Sequence, residues 1–122
     1  KATDTLWRVW EAGFEAAKPG ARAKDIWLAT EKAYSEAGLP AIEMTGHGIG
    51  MDIHEPPVLS ASEEIVLEPG MTLALETGIL SGFRSLGGEG GGHVENLVII
   101  TETGARSVMG LPKSIRRTSL PA

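Results

Sequence analysis

Apolar residues recur at helical spacing over the first third of the chain, then give way to β-type runs punctuated by glycine and proline. From Asp4 to Lys18, the residues Leu6, Val9, Trp10, Gly13, Phe14 and Ala17 fall on one helix face. Thr3 or Thr5 is placed to cap its start, and Pro19-Gly20 stops it. A second helix is expected over Arg22–Ala37, with Ile26, Ala29, Ala33 and Ala37 as its apolar stripe. Gly38 suits its C-terminal cap and Pro40 forbids continuation. Strands are expected near Ala41–Thr45, Met71–Ile79, His93–Thr101 and Arg106–Met109, separated by turn residues. Two helices followed by a run of strands predict an α+β fold with a mostly antiparallel sheet. Leu86–Gly92 reads as a glycine-rich loop and Pro112–Ala122 as a surface tail. No internal repeat is visible.

At 122 residues the chain is one domain's worth, long enough to bury a core without disulfides. Hydrophobic residues at 42% and charged residues at 22% describe a globular chain rather than a disordered one. The formal charge of −5 argues against nucleic acid as a partner, because phosphate binding needs a basic face. Lys113, Arg116 and Arg117 form a small basic cluster that reads as a solvated tail. Cysteine is absent, which excludes a thiol nucleophile and any thiolate zinc site. No run approaches the roughly 18–20 apolar residues of a membrane span, and none reads as a signal peptide. The default expectation is therefore a cytoplasmic protein without membrane partners. The first residue is Lys1 rather than Met, as in a piece of something longer.

The densest chemical signal is Gly46-His47-Gly48-Ile49-Gly50-Met51-Asp52-Ile53-His54-Glu55-Pro56-Pro57. Two of the three histidines share this stretch, and Gly46, Gly48 and Gly50 allow a tight turn between them and the close approach of another group. Pro56 and Pro57 are expected to end any strand there. Two carboxylates form the second signal. Glu76 lies in the largely apolar run Met71–Leu80, and Glu95 in His93–Ile100. Alternation puts His93, Glu95, Leu97 and Ile99 on one strand face, and the apolar residues of both faces predict burial on both sides. A buried carboxylate costs several kcal/mol unless a cation or donors offset it, and a metal ion would do so. One imidazole with two carboxylates suits Mn, Co, Fe or Zn, and carboxylates can bridge two ions. Asp52, Glu55, Glu63, Glu64 and Glu89 are weaker candidates, since none sits in an apolar strand. The remaining ligands of a two-ion site are therefore expected from outside the chain. No G-x-S-x-G, G-x-G-x-x-G or P-loop pattern is present. Trp7, Trp10 and Trp27 read as core or interface residues rather than a ligand cage.

GHGIGMDIHEPP resembles the signature loop of the methionine aminopeptidase, prolidase and creatinase family, which shares the pita-bread fold. AAKPGARAKDIW resembles that family's link between two helices. LEPGMTLALETG and HVENLVIITETG resemble the segments carrying its two glutamate ligands. The four matches run in the family's order and cover Ala16 to Thr103. The resemblance implies that His47, Glu76 and Glu95 are metal ligands, with Glu95 bridging two ions. It implies that His54 contacts substrate and assists proton transfer, and that Glu76 relays a proton besides binding metal. It also implies that the family's two aspartate ligands lie upstream of this chain, which would be the second half of a pita-bread domain.

Three positions depart from the prolidase-like pattern. Glu43 stands where a histidine is usual, Thr77 where a proline is usual, and His93 where an arginine is frequent. The leading expectation is a fragment of a metal-dependent Xaa-Pro dipeptidase or aminopeptidase. It would use two divalent ions in the full-length parent and hold at most one weakly by itself. Its partner would be a peptide substrate with proline after the scissile bond, and it is expected to be inactive alone. It is expected to pair with itself or with the missing N-terminal half. Two alternatives are a creatinase-like metal-free C–N hydrolase using His54, and a non-catalytic module that binds a peptide or protein.

Overall fold

The structure, a computed structural model, describes residues 2–79 and 91–109. Glu89, most of the Leu86–Gly92 segment, the basic cluster and the Pro112–Ala122 tail lie outside those residues. Two helices, α1 (Ala2–Ala16) and α2 (Ala23–Glu36), precede five strands. These are β1 (Met44–Gly48), β2 (Glu55–Ser60), β3 (Thr72–Ile79), β4 (Gly92–Ile100) and β5 (Ala105–Ser107). They form one antiparallel sheet in the order β2-β1-β3-β4-β5, which is the α+β arrangement expected. No helix among the described residues is long and apolar enough to cross a membrane.

Both helices pack on the same face of the sheet. Leu6, Val9, Trp10 and Ala17 of the first apolar stripe are buried against Leu73, Leu75, Val98 and Ile100. Each such fully buried aliphatic side chain contributes about 1.5–3 kcal/mol. Trp10 stacks on Phe14 with ring centroids 5.1 Å apart, and Trp7 meets Trp10 edge-on at 5.7 Å. Trp10 is thus a core residue, while Trp27 donates to the Ile42 carbonyl at 2.9 Å.

Several details differ from the sequence pattern. The first helix already includes Thr3 and Thr5, so neither caps it. Arg22 precedes α2 as its N-cap rather than lying within it, and its N–H donates to the Asp25 carboxylate at 2.8 Å. The buried stripe of α2 is Ala23, Ile26, Thr30 and Tyr34, not the alanines at 29, 33 and 37. Two hydroxyl side chains can take core positions because each finds a backbone partner. Thr30 donates to Trp27 O at 2.8 Å, and Tyr34 both donates to and accepts from Gly78.

The expected first strand shifts from 41–45 to 44–48, and a strand runs through Pro56 and Pro57 where none was expected. Position in the sheet explains this. β2 is an edge strand, so the missing proline N–H groups cost no interior ladder bonds. β4 also departs from the expectation of burial on both faces. Val94, Asn96, Val98 and Ile100 are buried, whereas His93 and Glu95 are exposed. The helices cover only one face of the sheet, and the candidate residues stand on the other.

Candidate metal centre

The centre is built on the open face of β1, β3 and β4. Gly46 lets β1 approach β3: its φ is +147°, and a Cβ there would stand 2.0 Å from the Ala74 carbonyl oxygen. This close approach seats His47 opposite Ala74, with its side chain only 9% exposed. His47 Nδ1 lies 2.8 Å from the Gly48 carbonyl, which can only accept, so Nδ1–H is the donor of that contact. Nε2 then points at Glu76, 2.8 Å from Oε1.

Residues 49–54 turn the chain back so that β2 pairs antiparallel with β1. The side chain of Glu55 organises this turn, accepting from the N–H groups of Met51 at 2.6 Å and Asp52 at 3.0 Å. As a result the His54 ring reaches the His47 ring, with centroids 4.4 Å apart and planes inclined at 62°. Two histidines seven residues apart thus share one site through a turn rather than a continuous strand.

Glu76 is the hub. It is placed on the open face by the alternation of β3, whose Leu73, Leu75, Thr77 and Ile79 point into the core. Its Oε1 contacts His47 and its Oε2 lies 3.2 Å from His93 Nε2. Glu95 is the direct cross-strand partner of Glu76, and His93 faces Gly78. Ligand atoms of Glu76, His93 and Glu95 all lie within 4.8 Å of one another. Beside them opens a cavity of about 520 Å³, lined by Glu43, Met44, Glu76, Gly78, Gly92 and His93, among others. In the sequence His93 stands on the strand face of Glu95 and departs from a family pattern, but neither reading made it a donor. Its i, i+2 spacing from Glu95 was the signal that places it among the donors.

The weaker acidic candidates have other tasks. Glu55 holds the turn, Glu63 accepts from Val58 and Ile65 N–H groups, and Glu64 pairs with Arg22 and Lys24. Asp52 is exposed on the turn. Thr77, one of the three departures, does not face the site at all: it is buried and donates to Leu6 O at 3.1 Å. Glu43 does line the cavity. The remaining donor set fits a first-row divalent ion, since imidazole nitrogen and carboxylate oxygen together suit borderline metals. The Nδ1 contact of His47 is the kind of outer interaction that orients a ligating imidazole.

The chain belongs to metallopeptidase family M24, whose sequence model matches residues 1–102. It is 39% identical over 112 residues to "Probable dipeptidase PepE" of Mycobacterium tuberculosis, covering 90% of this chain and 28% of that protein. It is 40% identical over 94 residues to "Xaa-Pro dipeptidase" of Pyrococcus furiosus, covering 75% of this chain and 26% of that protein. The crystal structure of dipeptidase PepE from Mycobacterium ulcerans superposes with a TM-score of 0.82 at 34% identity, covering 93% of this chain and 30% of that one. The chain therefore spans about a third or less of the length of these three relatives. The pita-bread architecture implied by the sequence resemblance is the one observed, two helices on a five-stranded antiparallel sheet.

Proposed function

We propose that the chain is the C-terminal part of the catalytic domain of an Xaa-Pro dipeptidase-like metallopeptidase. The observation that carries this is the gathering of His47, Glu76 and Glu95 from three adjacent strands, with His54 from the turn before β2 against His47, at the sheet face that the helices leave open. In this reading His47, Glu76 and Glu95 would hold divalent metal, and an upstream segment would supply the remaining ligands. The ions, Mn, Co, Zn or Fe, would polarise the scissile carbonyl and lower the pKa of water. His54, exposed and against His47, is placed to touch substrate and move a proton at the reacting centre. Glu76 is near enough to serve as a second proton carrier. Glu43 and His93 in the cavity wall would set which peptides enter, proline after the scissile bond being the favoured case.

The reading has a direct test. A chimera is made in which these 122 residues replace the matching segment of the Mycobacterium tuberculosis relative. It is expected to hydrolyse dipeptides with added divalent ion, whereas the chain alone is inactive. His54→Ala in the chimera is expected to lower kcat by about 10²–10⁴-fold, the usual value of a positioned acid–base group. A folded chimera with no hydrolysis overturns the proposal. The open face is proposed to associate with an N-terminal half or with a second copy. Met51 is fully exposed and Ile53 86% exposed beside it, giving this rim apolar surface. Sedimentation showing a monomer at every concentration would count against self-association.

A further inference from the structure

We propose that His93 is itself a metal ligand, so that Glu76, His93 and Glu95 hold one divalent ion using residues of this chain alone. The inference rests on the peptidase reading only in taking Glu76 and Glu95 as donors; the role of His93 is carried by its own geometry.

Three observations converge. First, the three side chains come from two neighbouring strands whose register is fixed, Glu76 opposite Glu95 and Gly78 opposite His93. Their donor atoms lie within 4.8 Å of one another before any ion is placed. An ion with bonds of about 2.0–2.2 Å needs its donors roughly 3 Å apart, so modest side-chain rotation closes the set. Second, the imidazole has room to make that rotation. Its side chain is 54% exposed, and its cross-strand neighbour is a glycine. Gly78 and Gly92 both line the cavity there, leaving the ring side of the space open. Third, Nε2 already faces a carboxylate oxygen at 3.2 Å, and this oxygen is not the one His47 engages. Glu76 thus presents one oxygen to each imidazole, and His93 with Glu76 and Glu95 makes a set of one nitrogen and two carboxylates apart from His47. Adding an imidazole to a carboxylate pair moves preference away from Mg and Ca toward Co, Zn and Ni.

The test titrates the metal-free 122-residue chain with Co(II) by calorimetry and follows the proton NMR spectrum of the loaded chain. One Co(II) per chain is expected, with Mg(II) much weaker. His93→Ala and His93→Gln are expected to weaken Co(II) by more than the ~10–100-fold that loss of an outer-shell partner costs. Both should also remove a hyperfine-shifted imidazole N–H resonance, while circular dichroism of the metal-free variants stays as in the wild type. If both variants keep wild-type affinity and every shifted resonance while Glu76→Gln abolishes binding, the ion is held without His93. The inference then fails and the peptidase reading stands. If the wild-type chain takes up no Co(II), the inference fails outright and the chimera alone decides the peptidase reading.

Discussion

Gly46 shows how much of the centre depends on a missing side chain. With φ at +147° and the Ala74 carbonyl 2.0 Å from where a Cβ would stand, no other residue fits without moving β1 off β3. Leu59 would obstruct it as well, at 2.9 Å. Gly46→Ala is therefore expected to cost at least about 3 kcal/mol, combining backbone strain with a clash that a packed sheet cannot relieve. Urea denaturation of the two chains measures this directly. His47 would shift with the strand, so metal affinity should fall in the same variant. Sequence alone marked this glycine as a turn residue near a histidine. Close approach of another group was also legible there, and the group proves to be the Ala74 carbonyl of the neighbouring strand, which only the pairing partner reveals. The four residues chosen for their chemistry, His47, His54, Glu76 and Glu95, were legible as unusual residue types in their surroundings. Glu95 was legible for the wrong reason: its apolar neighbours imply burial, but the strand is open on that face.

At the level of elements, β3 is held to the helices by polar ties as well as by packing. Trp10 donates to Leu75 O at 3.0 Å, Thr77 to Leu6 O at 3.1 Å, and Tyr34 serves both backbone groups of Gly78. The Tyr34 hydroxyl thus stands in for a strand partner beyond the end of β1. Tyr34→Phe leaves the Gly78 N–H and carbonyl unpaired and should cost about 1–3 kcal/mol. Burial lifts the Tyr34 hydroxyl above its ordinary value of 10.0, with the Gly78 contact pulling the other way. The unfolded chain ionises first as pH rises past 10.0, so the stabilisation is complete below that value and is lost as pH climbs through the raised one. Denaturation midpoints between pH 8 and 11 should show this loss in the wild type and its absence in Tyr34→Phe. A second tie joins the start of α2 to residues 63–67, where Ala23 donates to Ile65 O and Leu67 to Ala21 O. Glu64 adds ion pairs with Arg22 and Lys24, first through the Lys24 contact, which holds its carboxyl below the usual range. That contribution is present above the ordinary carboxylate pKa and fades as pH falls through the lowered one. Because the pair is exposed it is small, and Glu64→Gln should change stability only slightly, less so in high salt. The helices and β3 and β4 were legible because long periodic runs dominate them. β2 was not, because two prolines forbid an interior strand and nothing local reveals that this one is an edge.

Across the described residues the sheet is two-sided: one face is apolar and helix-covered, while the other carries the candidate metal ligands. The cost of the second face is written in its register, since Glu76 and Glu95 are direct cross-strand partners. Like charges so placed destabilise a sheet by about 0.2–1 kcal/mol, and the contacts of Glu76 with His47 and His93 offset only part of it. A chain with net charge −5 gains nothing elsewhere from adding to that repulsion. An ion between the carboxylates reverses the sign, because it binds the folded chain and finds no such site in the unfolded one. At a hundredfold excess over Kd that linkage is worth about 2.7 kcal/mol. Glu95→Gln separates the two effects. In metal-free buffer the variant is expected to melt slightly higher than the wild type, because the repulsion is gone. With saturating Zn(II) or Mn(II) the order is expected to invert, the wild type rising and the variant standing still. Thermal denaturation of both chains with and without each ion provides all the comparisons. If Glu95→Gln is less stable than the wild type without metal, the carboxylate has a structural partner on this face and the sheet was not strained by function. If both chains rise equally with metal, the ion sits elsewhere, and the open face is not the metal centre.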